Sequence, residues 1–314
     1  MFQGQNVEFF CLIELLALLK AERSIFLPLC LLSGPASIIQ VRNIGLLDLA
    51  PKSENELYVH QLDHEHRLLF HGDFTKFHTY ALVTHTKFKI NKDSVTIINP
   101  YSFQAELISE STEGGELTEL ITFRSPIFPI TDVAACKYGR DYDCFELTLF
   151  GQEVTQKFPC DLVFVTQYAE ELSSPIPLCI EYIGMAARNG RTAQERLGEG
   201  HEKLQVLLAQ LSDRDLFRNV SIILYKPGEL ECDGITFEQV VETLEASLIQ
   251  HYQPKPLNVE HLNFPQNKTK LTSTLKKIGA NELIIGVESP EMTALYSRYR
   301  SEPKAQEMFC LRVP

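Results

Sequence analysis

Cysteine never occurs at C-x-x-C spacing in this sequence. The eight cysteines, from Cys11 to Cys310, stand singly, which excludes the dense disulfide framework of small secreted domains and leaves reduced, mostly buried thiols. The sequons at Asn219 and Asn267 carry little weight on the same ground, since glycosylation requires secretion. No glycine-rich phosphate loop of either common kind is present, so nothing points to a nucleotide cofactor. Apolar runs long enough to span a bilayer are also missing. The stretch Val7 to Leu19 contains Glu8 and Glu14, runs into Lys20, Glu22 and Arg23, and is followed by a second run broken by Pro28. It lacks the basic start and small-residue cleavage site of a signal peptide. A buried helix over residues 1–37, no membrane partner and a cytoplasmic location are therefore expected.

Positive charge is scarce. The net charge of −12 argues against a protein that coats nucleic acid by bulk electrostatics, because phosphate binding needs clustered Lys and Arg. The imbalance is uneven: residues 1–180 hold 13 Lys and Arg against 23 Asp and Glu, whereas residues 181–314 hold 16 against 18. The second half is the better candidate for meeting phosphate.

With 314 residues and 44% apolar content, the chain can bury a core in about two domains. The patterning predicts an α+β protein. Residues 38–158 read as a β-rich domain, with β-branched and aromatic runs such as Tyr80 to Thr86 and Phe145 to Phe150 between polar turns. Its role is not legible, although choosing a substrate or a protein partner would suit it. Six of the nine histidines fall between His60 and His85, but their spacing does not repeat in the pairs that zinc sites use, so a solvated strand-and-turn surface is expected.

Residues 159–314 alternate strand and helix, the pattern of a small α/β domain: an apolar strand Leu162 to Val165, a strand Leu178 to Ile183, helix over Arg191 to Leu211, a strand Asn219 to Tyr225, and a long helix from the capping box Thr236/Gln239 to Pro254. A basic helix near Leu271 to Ile278 and two strands close the chain. On the long helix, Val241, Leu244, Leu248 and Tyr252 form an apolar stripe, and Glu245 falls within it, about 40° from Val241 at 100° per residue. A carboxylate aimed at a core is costly unless it is paired or binds a metal. A buried ion pair and a metal ligand are both open on this pattern.

The order of several residues resembles the GIY-YIG endonucleases over about residues 162–265. Glu245-Ala-Ser-Leu-Ile, then Pro254 and Asn258, is similar to the end of that nuclease core, and Tyr182-Ile183-Gly184 is similar to the family's second motif. Arg196 matches the family's helical arginine, and His201 falls where many members carry a histidine. The resemblance implies a metal-dependent endonuclease that hydrolyses nucleic-acid phosphodiesters, with DNA more expected than RNA and Mg²⁺ or Mn²⁺ as cofactor. It casts Glu245 as metal ligand, Arg196 as the donor fork to the scissile phosphate, Tyr182 as a catalytic tyrosine and His201 as a further catalytic group. Gly184, Arg188 and Arg191 would meet substrate, and Asn258 would tie the loop after the helix to the core. The family's first motif, Gly-Ile-Tyr about ten residues before the second, is missing from that place; the nearest tyrosine is Tyr168. The alternative is therefore a catalytically inactive module of the same shape that binds nucleic acid or a protein.

Overall fold

The computed structural model describes residues 27–41, 58–59, 77–111, 115–137, 141–152, 155–198, 201–214, 218–227, 234–267 and 269–314. Over these the protein is a strand-rich α+β structure with three sheets.

The central sheet runs in the order β14 (Thr293–Tyr296), β11 (Ile176–Met185), β3 (Thr79–Thr86), β12 (Arg218–Pro227), β1 (Leu27–Val41), β13 (Ala280–Glu288) and β15 (Gln306–Arg312), with the two-residue β2 (Tyr58–Val59) beside β1. β3 is antiparallel to both β11 and β12. β1 pairs antiparallel with β12 and parallel with β13. Successive residues of β3 point to opposite faces. Ala81 and Val83 join Ile180, Ile183 and Ile223 under helix α4 (Phe237–Tyr252), which contributes Val240, Leu244 and Leu248. Tyr80 and Leu82 join Val220, Ile222 and Leu224 on the other face, packed by Ala193 and Leu197 of α2 (Ala193–Gly198) and Leu204 and Leu207 of α3 (Glu202–Arg214). α5 (Lys270–Lys277) presents Leu271 and Leu275 to the α4 side.

The expected helix over residues 1–37 is corrected where it can be seen: from Leu27 the chain is strand. β-branched and leucine side chains suit a position between two sheet neighbours, and Pro28 is unsuited to a helix interior. Residues 1–26 lie outside the described residues. The expected strand Leu162 to Val165 is instead the start of α1 (Leu162–Tyr168). Asp161 caps it by accepting the Phe164 N–H at 3.0 Å, and all four apolar residues are buried, a run whose periodicity fits either element.

Between β3 and β11 the chain builds a β module of two further sheets, whose core is continuous with that of the central sheet. One sheet holds β6 (Ser102–Ser111), with β7 (Gly115–Arg124) on one side and β4 (Phe88–Ile90) and β5 (Thr96–Asn99) on the other; the second is β8 (Ile130–Lys137), β9 (Tyr142–Leu149) and β10 (Thr155–Pro159). Phe103, Phe123, Phe145 and Phe164 fill its centre, with ring centroids 4.9–5.7 Å apart. The expected boundary at residues 158 and 159 therefore does not follow the pairing. β3 comes from the β-rich half by sequence but belongs to the sheet of the second half, and only the stretch after it forms sheets of its own. Among the described residues no helix is long and apolar enough to cross a membrane.

Candidate active site

β11 and β3 end together, at Met185 and Thr79. Beyond them the loop 186–191 is held by His78, whose Nδ1 lies 2.9 Å from the Ala186 carbonyl and 3.1 Å from that of Arg191. Asn189 and Gly190 turn the chain with left-handed φ of 59° and 73°. A capping box then starts α2: Thr192 accepts the Glu195 N–H at 3.2 Å, and Glu195 accepts the Thr192 N–H at 2.8 Å. These elements, with α4 and the loop after it, wall a cleft of about 680 Å³. Arg188, Arg196, Glu242, Glu245 and Glu260 line it.

Arg196 and Glu245 thus face one space, and two tyrosines behind its lining interact electrostatically with both. Tyr182 on β11 and Tyr80 on β3 have ring centroids 6.3 Å apart. Gly184 makes this packing feasible, because a Cβ there would lie 2.6 Å from the Tyr80 ring and hydroxyl and 2.8 Å from the Tyr182 ring. His201 closes the group, its ring 5.5 Å from Tyr80 and 5.3 Å from Tyr182.

The hydrogen bonds fix the role of His201. The backbone N–H of Leu204 donates to its Nδ1 at 3.2 Å, so a neutral ring carries its proton on Nε2. Nε2 lies 2.8 Å from the Tyr80 hydroxyl and must donate to it. Burial, then the Arg196 charge, pulls the imidazole pKa down to about 4. His201 is therefore a neutral donor that positions Tyr80, not a proton acceptor.

Burial pushes the phenol of Tyr80 well above its ordinary range, with the neighbouring Tyr182 and Glu245 adding to the rise. Arg196, hydrogen-bonded to Tyr80, opposes it. Tyr182 is raised by burial and by Glu245 and Glu260, and lowered by Arg196 and Tyr80. The Glu245 carboxyl is pushed up to about 8, first by burial, then by Glu242 and Glu260, against Arg188 and a hydrogen bond from the Met185 N–H. The side chain that broke the apolar stripe is thus a strained acid at the floor of a cleft.

Asn258 sits at the edge of β11. Its Oδ1 accepts the Ile183 N–H and its Nδ2 donates to the Ile183 carbonyl, both at 2.8 Å. β14 accompanies β11 only from Ile176 to Cys179, so the amide stands in for a missing strand partner beside Tyr182. Arg188 lines the cleft together with Arg191, while Tyr168 packs against Phe164 at 5.0 Å within the β module. Of the six clustered histidines, His60, His64, His66 and His71 lie outside the described residues. His78 and His85 serve separate structural contacts, His85 being buried with Nε2 3.1 Å from the Ser221 hydroxyl.

Tyr80 is the residue that sequence reasoning missed. Its signal was a tyrosine opening an apolar strand, Thr79-Tyr80-Ala81-Leu82-Val83, hidden because the partner strand follows the whole inserted module rather than a short turn.

Among the described residues no three His, Cys, Asp or Glu side chains form a group able to enclose a metal. A magnesium-like ion does not need one: it keeps several waters and is commonly held by one or two carboxylates together with substrate phosphate. Glu245, disfavoured as a bare anion by burial and two neighbouring carboxylates, fits that donor set. The chain matches no protein-family model, no curated protein and no solved structure.

Proposed function

We propose that this chain is a metal-dependent endonuclease hydrolysing nucleic-acid phosphodiester bonds, DNA before RNA, built on a GIY-YIG-like arrangement. One observation carries the reading: Arg196 of α2 and Glu245 of α4 line one cleft, and Tyr80 of β3 and Tyr182 of β11 pack together beside it, within electrostatic reach of both. Ordinary core packing does not call for two tyrosines, an arginine and an acid with a strongly raised pKa at one point.

In this reading Arg196 offers its planar fork of donors to the scissile phosphate as charge builds there. Tyr80 and Tyr182 position the attacking water. His201 fixes the Tyr80 hydroxyl by donating to it, leaving the phenolic proton free to point along the Tyr80–Tyr182 pair. Glu245 would hold the Mg²⁺ or Mn²⁺, which when bound polarises the phosphate and stabilises the leaving oxygen. Arg188 and Arg191 extend the donor surface toward the neighbouring phosphate, and Asn258 keeps β11 from shifting under Tyr182.

The test is nicking of supercoiled plasmid and cutting of single-stranded oligonucleotides with Mg²⁺ or Mn²⁺, alongside Glu245→Ala. Metal-dependent cleavage that disappears in the variant is expected; equal cleavage by both proteins would refute the assignment. The alternative is an inactive module that binds nucleic acid or a protein; the excess of carboxylates (Glu195, Glu242, Glu245, Glu260) over arginines (Arg188, Arg191, Arg196) along the cleft walls weighs against phosphate chemistry there and favours the protein-binding form. Binding of oligonucleotide without cleavage in either metal would mark the nucleic-acid-binding form.

A further inference from the structure

At one end of the β module three turns meet, residues 96–102, 125–131 and 148–152. None of them contains an Asp, Glu, Lys or Arg, in a chain that is 22% charged. They are stitched together by backbone hydrogen bonds: Ser125 N–H to the Tyr101 carbonyl at 2.8 Å, Ile130 N–H to Pro100 at 2.9 Å and Phe150 N–H to Pro129 at 2.9 Å. Each turn projects large apolar side chains into solvent: Ile97 and Ile98 (38% and 48% exposed), Tyr101 (61%), Phe128 (63%) and Phe150 (74%). The Tyr101 and Phe128 rings lie against each other, centroids 5.7 Å apart. A patch held rigid by its own backbone yet left this apolar marks an interaction surface.

We infer that this patch is a self-association surface, covered in solution by the same patch of a second copy of the chain. Charge selects that occupant. Residues 88–159 hold six Lys and Arg against eleven Asp and Glu, so two copies meeting elsewhere on the module set acid against acid, whereas here no like charges face each other. An anionic membrane is disfavoured by the same acidity. The contact so formed is two-fold, each patch meeting its own image. The size is appropriate to a reversible dimer. Three aromatic side chains exposed to this extent present about 400 Å², given about 150–250 Å² for each whole side chain. That is roughly half of the 800 Å² per partner of a standard interface, the size of a weak, reversible contact.

Sedimentation velocity of the full chain from about 1 to 100 μM tests this, with Phe128→Glu and Ile98→Lys as variants. Both side chains are exposed, so the fold should survive, and circular dichroism melts check that it does. Leu117→Glu is the control, an equally exposed apolar residue at the opposite end of β7 from Ser125. The expected result is a concentration-dependent dimer whose dissociation constant rises at least about tenfold in both patch variants and not in the control. A wild-type chain that stays monomeric to 100 μM would overturn the proposal, as would a dimer indifferent to both variants or a monomer that instead binds neutral phospholipid vesicles through the patch.

Discussion

Replacing Glu245 with Gln should make the metal-free protein more stable while destroying its proposed activity. The Glu245 carboxyl is raised to about 8 in the fold and titrates near 4.5 when unfolded. Between those values the folded state holds a proton that the unfolded chain has released, so stability falls as pH rises from 4.5 toward 8. At pH 7 this is 2.5 pH units at about 1.4 kcal/mol each, at most ~3.5 kcal/mol. The side chain keeps part of its surface open to the cleft, and solvent screening brings the expected gain from the neutral isostere to about 1–2 kcal/mol. For a chain of this size that corresponds to a melting temperature about 2–4 °C higher. Thermal melts in EDTA at pH 4.5, 6 and 7.5 should show the two proteins alike at the lowest pH and the glutamine variant ahead by a margin that grows with pH. Adding Mg²⁺ or Mn²⁺ should then raise the wild-type melting temperature through binding to the native state alone, and leave the variant where it was. A variant less stable than wild type at pH 7.5, or a gap that does not change with pH, would refute the assignment of Glu245 as a penalised buried acid.

Tyr80→Phe removes the hydroxyl that accepts from His201 without changing the ring, so plasmid cleavage should drop at least about a hundredfold while the melt moves by about 1 kcal/mol or less; unchanged cleavage would remove Tyr80 from the site. Gly184→Ala should cost about 1–3 kcal/mol in denaturant unfolding, because its Cβ would overlap both tyrosine rings, and Tyr80→Ala in the same chain should recover part of that loss. Asn258→Leu, which leaves the Ile183 N–H and carbonyl without partners, should cost about 2–3 kcal/mol and speed amide exchange at Ile183. His85 and His201 are both lowered to about 4 from 6.5 in the fold. Their contribution is whole above pH 6.5 and is lost as pH falls toward 4, since the unfolded chain binds protons first. Urea titrations should find each worth up to about 3 kcal/mol over that window, and His85→Asn should flatten the acid limb.

The α4 register could be read from sequence because its signal is local. Thr236 and Gln239 form the capping box, the apolar stripe is regular, and Glu245 stands out against it. Tyr182, Gly184, Arg196 and Asn258 could be named because their order along residues 182–258 carries the family resemblance. What escaped was set by pairing between distant segments. The run Leu162 to Val165 is apolar on every side, so only its Asp161 cap and its burial decide for helix. Leu27 to Val41 becomes strand because β12 and β13 flank it, a fact held in residues about 180 to 250 positions away. Tyr80 was invisible for the same reason: nothing near it in sequence announces that β11 will lie beside it. The neutral tautomer of His201 depends on the first turn of α3 and could not be inferred from composition.

The β module inserted between β3 and β11 also has a temporal consequence. Tyr80 is translated before the module and Tyr182 after it, so the two rings cannot meet until every residue of the insertion has left the ribosome. Pairing β3 with β11 then closes a long loop, a contact of high sequence separation that slows folding. The module, rich in neighbouring hairpins, can form first and draw its own ends together, shortening that loop before the sheet closes. On this account the insertion acts as the tether that times assembly of the cleft, and its stability governs how quickly a newly made chain acquires a site.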